Sequence, residues 1–360
     1  MTMLDPAALP EEPAVFRAAR LARISTLISR CDPWFKVLGL AWLTPLWRML
    51  AGENPKGQLK DLWRLAIVPL LAILCFLGLW AWAAPKVQTS LGAIPGPVQV
   101  WEQVGVLHAD AVAEGEKEAE FYAKQAERNA ALVAEGKADE VKDRTYTGKP
   151  TYYEQIFTSI QTVFFGFLLA TLVAVPLGIV SGMSATANAA INPLVQIFKP
   201  VSPLAWLPIV TMVVSALYAG DGSKSFVISA VTVTLCSLWP TLINTALGVA
   251  SIDKDLVNVG RVLKLSTWTK VTRLVLPSAL PLIFTGLRLS LGVGWMVLIA
   301  AEMLAQNPGL GKFVWDEFQN GSQDSLARIM VAVFTIGIIG FLLDRVMFAL
   351  QQAFTFSGKR

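Results

Sequence analysis

Residues that could carry out acid–base, redox or metal chemistry are few in this sequence and lie far apart. His108 is the only histidine, and Cys31, Cys75 and Cys236 form neither a CxxC pair nor a Cys/His cluster. Free cysteines of this kind usually serve as buried packing residues. We therefore expect no metal site, no bound cofactor and no catalytic centre in this chain.

Two ionisable side chains interrupt an otherwise apolar run. Arg288 and Glu302 lie within Leu280–Leu304, although a charge inside a bilayer costs about 2.5 to 3.5 kcal/mol on insertion scales. Arg288 lies roughly 16 Å along a helix from Pro277. Its guanidinium could help an anion to shed water, or it could snorkel or pair with another helix, and we favour the structural alternative. Glu302 is interpreted as a structural partner, because its charge would repel an anion.

Apolar runs dominate the chain. Of its 360 residues, 54% are hydrophobic and 16% are charged, whereas about a quarter are charged in an average soluble domain. A bilayer core about 30 Å thick needs roughly 20 apolar residues in a helix. The predicted spans are Leu65–Ala84, Ile156–Met183, Leu204–Ala219, Ser225–Ala250, Leu280–Leu304 and Ile329–Leu343. The sequence thus predicts an all-α membrane protein with six transmembrane helices, and a net charge of +4 without a basic stripe gives no indication of nucleic-acid binding.

The distribution of charge predicts the orientation. Residues 1–64 contain nine Lys/Arg against six Asp/Glu, so the positive-inside tendency places them in the cytoplasm. Six crossings return the tail, residues 351–360, to the same side, together with the basic loop 251–277. The acidic insertion 85–152 is then external, and its Ala/Glu/Lys-rich centre, residues 109–141, predicts one or two solvated helices.

The N-terminal segment contains a second helical pattern. Trp34, Leu38, Trp42, Leu46 and Leu50 recur at intervals of four, which places them on one helix face. Such an amphipathic helix could lie on the inner membrane surface or pack against the bundle. The predicted organisation is a cytoplasmic segment 1–64, a first transmembrane helix 65–84, an insertion 85–152, a core of five transmembrane helices 153–350 and a tail 351–360.

The loop between the fourth and fifth predicted spans carries the most informative pattern. Its first half places apolar residues on one helix face, namely Ile252, Leu256, Val259 and Leu263. Its second half predicts a short helix capped by Ser266, with an apolar face of Trp268, Val271 and Val275, before Pro277 opens the next span. Two short amphipathic helices joined by a sharp turn can seat in a groove of another protein.

This loop resembles the cytoplasmic loop of the permease subunits of binding-protein-dependent ABC importers, which reads E-A-A-x-x-x-G-x9-I-x-L-P. Asn258-Val259-Gly260 stand at Glu-Ala-Ala, Lys264 stands at the Gly, Leu274 at the Ile, and Leu276-Pro277 at Leu-Pro. The spacing from Lys264 to Pro277 matches without a gap, whereas the opening letters differ.

The resemblance continues on both sides of the loop, over about Tyr152–Leu350. It is carried by KPVSPLAWLPI (Lys199–Ile209), LCSLWPTLINTALGV (Leu235–Val249), LPLIFTGLRLSLGVGW (Leu280–Trp295), AAEML (Ala300–Leu304) and GLGKFVWDEF (Gly309–Phe318). These runs look like the nitrate, sulfonate, taurine and bicarbonate branch, and most like its nitrate permeases. The N-terminal segment and the external insertion fall outside the resemblance.

The resemblance implies a type I ABC-importer-like permease in a bacterial inner membrane that has no ATPase of its own. Its expected partners are cytoplasmic ABC ATPases that hold ATP and Mg, a periplasmic or lipid-anchored solute-binding protein, a second permease copy and the lipid bilayer. The residues expected to couple to the ATPase are Asp255, Leu256, Asn258, Val259, Gly260, Leu263, Lys264, Leu265, Ser266, Leu274, Leu276 and Pro277. The insertion could contact the solute-binding protein or be only a solvated addition, and we favour the latter.

The expected cargo is a small anion, nitrate or nitrite first, with bicarbonate, cyanate, taurine or another alkanesulfonate as alternatives. A gradient-driven secondary transporter is the alternative from another class, but no internal repeat is apparent and Glu302 is the only carboxylate within the predicted spans. Prolines 200, 203 and 208 predict a kinked entry to the third span, where freed backbone groups could serve a gate. The residues expected to line the pathway are Thr162, Ser202, Pro203, Trp206, Trp239, Asn244 and Arg288.

Overall fold

The computed structural model describes residues 26–29, 32, 35, 39–52, 54–89, 92–220 and 222–356. In these ranges the secondary structure is helical except for one antiparallel pair of two-residue strands, β1 (Gln88–Thr89) and β2 (Gly92–Ala93). Residues 26–29 are helical. From residue 39 onward the α-helices, apart from short 3-10 and π-helical segments, are α1 (Leu43–Leu50), α2 (Pro55–Leu62), α3 (Val68–Ala83), α4 (Pro97–Ala134), α5 (Tyr152–Met183), α6 (Ala185–Phe198), α7 (Pro203–Leu217), α8 (Lys224–Ala250), α9 (Lys254–Val262), α10 (Thr267–Lys270), α11 (Leu276–Ala305), α12 (Leu310–Asn320) and α13 (Gln323–Phe356).

The predicted N-terminal amphipathic helix is described only in part. Leu46 and Leu50 lie in α1, and Trp42 directly precedes it. Trp34 and Leu38 lie outside the described residues. Whether the five residues share one helix therefore stays a prediction.

Within the described residues, five continuous helices are long and apolar enough to cross a membrane, and they contain five of the six predicted spans. They run over Lys56–Lys86, Tyr152–Met183, Lys224–Ala250, Thr267–Ala305 and Asp324–Thr355. The first is longer than predicted because π-helical residues Trp63–Ile67 join α2 to α3 without a break. The last helix also continues past the predicted core boundary, to Phe356.

The third predicted span, Leu204–Ala219, is wrong as a single crossing. Helix α7 begins at Pro203, and its 15 residues extend only about 22 Å. The preceding helix α6 meets α7 at an angle of 103°, and only the two together are long and apolar enough for a sixth crossing. The predicted kink therefore exists as a sharp bend. Pro200 and Pro203 explain it, because neither can donate the backbone hydrogen bond that would continue α6.

Helix α8 is the centre of the bundle and packs between α5 and α11. Two glycines of α5 allow this approach, because a Cβ on Gly178 would lie 2.6 Å from Thr245 Cβ and one on Gly182 would lie 2.6 Å from Ala246 O. On the other side of α8, Ser290 Oγ accepts hydrogen bonds from the backbone N–H and the hydroxyl of Thr241, at 3.0 and 2.7 Å. Close contact and buried hydroxyls thus join these helices.

Glu302 ties three helices together, as its predicted structural role requires. The side chain is fully buried. Its carboxylate accepts hydrogen bonds from Ser159 Oγ of α5, at 2.8 and 2.9 Å, and from Gly311 N of α12, at 3.0 Å. The chain before α12 also passes close by, since a Cβ on Gly309 would collide with the carboxylate.

The insertion forms one long helix, α4, rather than two. Its first turns are held on the bundle by Val100 and Leu107, which pack in one apolar cluster with Phe313 of α12. The segment after α4 returns along it, and Tyr146 Oη donates to Glu114 Oε1 at 2.8 Å. This hydrogen bond lowers the pKa of Glu114 from its ordinary value.

Candidate functional site

The loop after α8 begins with a capped helix. Asp253 Oδ1 accepts the backbone N–H of Asp255 at 2.9 Å, which satisfies one of the free donors in the first turn of α9. The predicted stripe nevertheless loses its first member, because Ile252 precedes the cap. Ile252 packs instead against the cluster formed by Val249, Ala279 and neighbouring residues, at the end of the bundle where the loop begins.

A Schellman motif makes the sharp turn at the end of α9. Leu265 N donates to Gly260 O at 3.1 Å, and Lys264 N donates to Arg261 O at 3.0 Å. Lys264 has a φ of +48°, in the left-handed region that glycine adopts most easily. This residue is the one that stands where the related loops have glycine, so the backbone keeps the turn although the side chain differs.

Ser266 starts the second part of the loop, as predicted. Its hydroxyl accepts the backbone N–H of Thr269 at 3.2 Å. The predicted separation before Pro277 is wrong, because one helix runs through Thr267–Ala305. Its π-helical turn, Val271–Val275, shifts the hydrogen-bonding pattern just before the proline, which cannot donate a bond of its own.

The two sides of the loop have opposite environments. Val275 is buried, and Leu274 and Leu276 pack with it at the same end of the bundle. The predicted apolar face of the second helix is therefore divided, because Trp268 is 76% exposed while Val275 is 3% exposed. Gly260 lies close to this buried part of the loop, because a Cβ on Gly260 would lie 3.6 Å from Leu274 Cδ1.

Apolar side chains cover the side of the loop that faces away from the bundle, and together they form what we call the docking surface. Its members are Leu256, Val259, Val262, Leu263 and Trp268, each at least 46% exposed. Val262 was missed by the sequence pattern, although it is the most exposed, at 82%. Loops that stay in water rarely present so many large apolar groups together, so this surface has the character of a protein-contact site.

Four of the residues predicted to line a pathway meet at the bend between α6 and α7. Ser202 caps α7 by accepting Leu204 N at 3.3 Å, and Pro203 is the first residue of that helix. The ring centroids of Trp206 and Trp239 lie 5.7 and 6.1 Å from that of Phe198, the last residue of α6. Phe198 was not singled out by the sequence.

The other predicted pathway residues lie elsewhere. Thr162 is fully buried and accepts a hydrogen bond from Asn307 Nδ2 at 3.2 Å. Asn244 donates to Pro240 O of its own helix at 2.8 Å, and its Cβ lies 2.8 Å from the Cβ position of Gly286 on α11. Both side chains serve contacts between or within helices.

Arg288 forms an ion pair with the last helix. Its Nε contacts Asp344 Oδ1, its Nη2 donates to Asp344 Oδ2 at 2.8 Å, and Arg345 Nη2 donates to the same Oδ2 at 2.8 Å. The contacts agree with the interhelical alternative for Arg288. Asp344 was missed because the predicted sixth span ended at Leu343, one residue too early.

The comparisons agree with this architecture. Residues 174–356 match the family described as binding-protein-dependent transport system inner membrane component. The nitrate import permease protein NrtB of Synechococcus elongatus is 39% identical over 193 residues, which are 54% of this chain and 66%, just under two thirds, of that protein. The bicarbonate transport system permease protein CmpB of the same organism is 34% identical over 308 residues, which are 84% of this chain and 94% of that protein.

A solved structure supports the same fold. An inward-facing conformation of the MetNI methionine ABC transporter includes a chain that superposes with a TM-score of 0.50 at 15% identity, over 57% of this chain and 96% of that chain. The family assignment rests on the sequence match, and the helical fold with its capped loop after α8 is consistent with it. The chain belongs to the inner membrane components of binding-protein-dependent transport systems.

Proposed function

We propose that this chain forms the translocation pathway of an ATP-driven importer for a small inorganic anion, nitrate or nitrite first. The observation that carries the proposal is the match of the spanning core to a family of transport permeases, with nitrate import permeases at 38 to 39% identity. The sequence runs that resemble such permeases, from Lys199 to Phe318, lie within the matched residues 174–356. The chain itself acts as a transport subunit rather than an enzyme.

The docking surface is the proposed contact with a cytoplasmic ATPase. Its support is that no described part of the chain covers these apolar side chains, while the opposite side of the loop packs firmly on α8 and α11. A movement of an ATPase bound at the docking surface would therefore be transmitted to α8 and α11 through the packed side of the loop. ATP and Mg would be held by the partner, and two copies of this chain would present two such loops.

The proposed orientation has both termini in the cytoplasm. Counting α6 and α7 as one crossing, the helices from α3 to α8 bring the loop with the docking surface back to the side of the N-terminal segment. The basic residues of both regions suit that side. The long helix α4 then projects outside, where a solute-binding protein would deliver the anion.

Bicarbonate is the second candidate cargo. One bicarbonate permease relative extends over 84% of this chain, whereas the nitrate permease relatives extend over 54 to 57%. Cyanate, taurine and other alkanesulfonates remain alternatives by resemblance alone.

Uptake into vesicles tests the function. The chain is reconstituted with its ATPase and solute-binding protein, and uptake of nitrate and of bicarbonate is measured with ATP and with ADP. We expect ATP-dependent uptake of one anion, and the same anion should bind the isolated solute-binding protein. Uptake at full rate with ADP would reject the importer and favour a gradient-driven transporter.

A further inference from the structure

Two tryptophans at the bend between α6 and α7 have unsatisfied hydrogen-bond donors. The Nε1 atoms of Trp206 and Trp239 are buried, and neither has a partner among the described residues. The same fold satisfies another indole in the bundle, since Trp295 Nε1 donates to Ile336 O at 3.0 Å. An unpaired N–H inside a membrane is costly, so two of them around one aromatic side chain require an explanation.

The two donors belong to different helices but to one cluster. Trp206 lies in the first turn of α7 and Trp239 lies in the middle of α8, and both rings flank Phe198 at the end of α6. Trp239 is eleven residues from the inner end of α8, about 17 Å at 1.5 Å per residue. This distance places the cluster well inside the bilayer rather than at its surface.

The chemistry of the cluster suits an acceptor that carries negative charge. The indole N–H group is a donor and not an acceptor, so it can bind an anion but cannot coordinate a cation. The adjacent Lys199 brings one positive charge to the bend, whereas Arg288 is already paired with Asp344. Neutral donors replace part of an anion's hydration without forming an ion pair, and a transport site must hold its cargo weakly enough to release it.

We propose that the indole N–H groups of Trp206 and Trp239 bind the transported oxyanion as it passes the bend between α6 and α7. The inference rests on the proposed function and adds the transit site, which is made of uncharged donors. The sharp bend is what brings the first turn of α7 next to the middle of α8.

Removal of each N–H with retention of an aromatic ring tests the site. Trp206→Phe and Trp239→Phe are made separately in the full complex with ATPase and solute-binding protein, and nitrate uptake is measured at subsaturating nitrate. We expect each variant to slow uptake about tenfold, as the loss of a hydrogen bond to a charged group predicts. Complex assembly and nitrate binding by the isolated solute-binding protein should not change.

Trp82→Phe is the matched control, because Trp82 lies on the first span and is 65% exposed. Phe198→Leu is the second control, since it alters the packing of the cluster but leaves both donors in place, and it should slow uptake much less than either tryptophan variant. Unchanged uptake in both tryptophan variants, with a wild-type complex that transports nitrate, would overturn the site and leave the importer function standing. A wild-type complex that transports neither nitrate nor bicarbonate would instead contradict the importer itself.

A second measurement covers a variant that fails to assemble. The wild-type complex is labelled with fluorotryptophan and titrated with nitrate against chloride. We expect two of its indole resonances to shift with nitrate. A single variant that assembles lacks the resonance of the replaced tryptophan, which assigns that resonance. A spectrum in which no resonance responds to nitrate would also overturn the site.

Discussion

Lys264 shows how much a single backbone angle contributes to the candidate site. Its φ of +48° places a residue with a Cβ in a conformation that costs roughly 1 kcal/mol or more relative to glycine. The Schellman hydrogen bonds donated by the backbone N–H groups of Leu265 and Lys264 hold that angle in place. The turn direction, and with it the position of the docking surface, is therefore kept at the expense of local strain.

We predict that Lys264→Gly stabilises the loop by about 1 kcal/mol, because the strain is removed and the hydrogen bonds remain. Hydrogen exchange of the amides in residues 254–274 measures this effect, and exchange should slow in residues 254–266. Lys270→Gly is the control, since that residue is helical and glycine there should destabilise by a similar amount. Faster exchange in Lys264→Gly would show that the lysine side chain, rather than its backbone, matters at the turn.

At the scale of the element, α9 and the turn after it differ from the predicted pair of helices in one important respect. The apolar pattern alone places Ile252 and Leu263 on a common face. In the structure Ile252 lies before the cap of α9 and packs on the bundle, while Leu263 is exposed. The predicted apolar stripe thus includes one residue that attaches the loop to the bundle and others that belong to the docking surface.

We predict that Val259→Asp or Leu263→Asp abolishes co-purification of the ATPase while the chain remains folded in the membrane. Both side chains are more than half exposed, so the charge does not disturb the bundle but must lose its water in a protein interface. Affinity purification from membranes measures the loss. Ser251→Asp, an exposed position outside the docking surface, should retain the ATPase. Full retention by the two docking variants would reject the assigned surface.

At the scale of the whole molecule, charged contacts connect helices that are distant in sequence. Arg288 joins α11 to Asp344 of α13, and Glu302 joins α11 to α5 and α12. In the first contact, each side chain is about one third exposed. The second is fully buried and satisfied by hydroxyl and backbone donors.

We predict that Arg288→Gln and Asp344→Asn each lower the thermal stability of the purified chain, and that the double variant loses less than the sum. The expected coupling is on the order of 1 kcal/mol, because the double variant leaves no uncompensated charge from this pair. Asp344→Asn should be the more harmful single change, since Arg345 also pairs with Asp344. Arg273→Gln, at an exposed position of the loop, is the control. Strict additivity would show that the pair does not link the helices.

Several features could be predicted from the residues alone: the class of the protein, five of the six crossings, the cap at Ser266 and the residues of the turn. Apolar length, capping residues and the positions of prolines are local properties, so they can be read from neighbouring residues along the chain. The approximate place of the bend after α6 was also visible from its prolines.

Three features could not be predicted without the folded molecule: the angle of that bend, the partner of Arg288 and the division of the loop into an attached side and an exposed side. Each depends on groups far apart in sequence, such as Asp344 for Arg288 or Phe198 and Trp239 for Trp206. Periodicity shows which residues share a face, but it does not show what that face meets. The meeting of faces is fixed by packing in three dimensions, because burial and hydrogen-bond satisfaction are properties of the folded bundle.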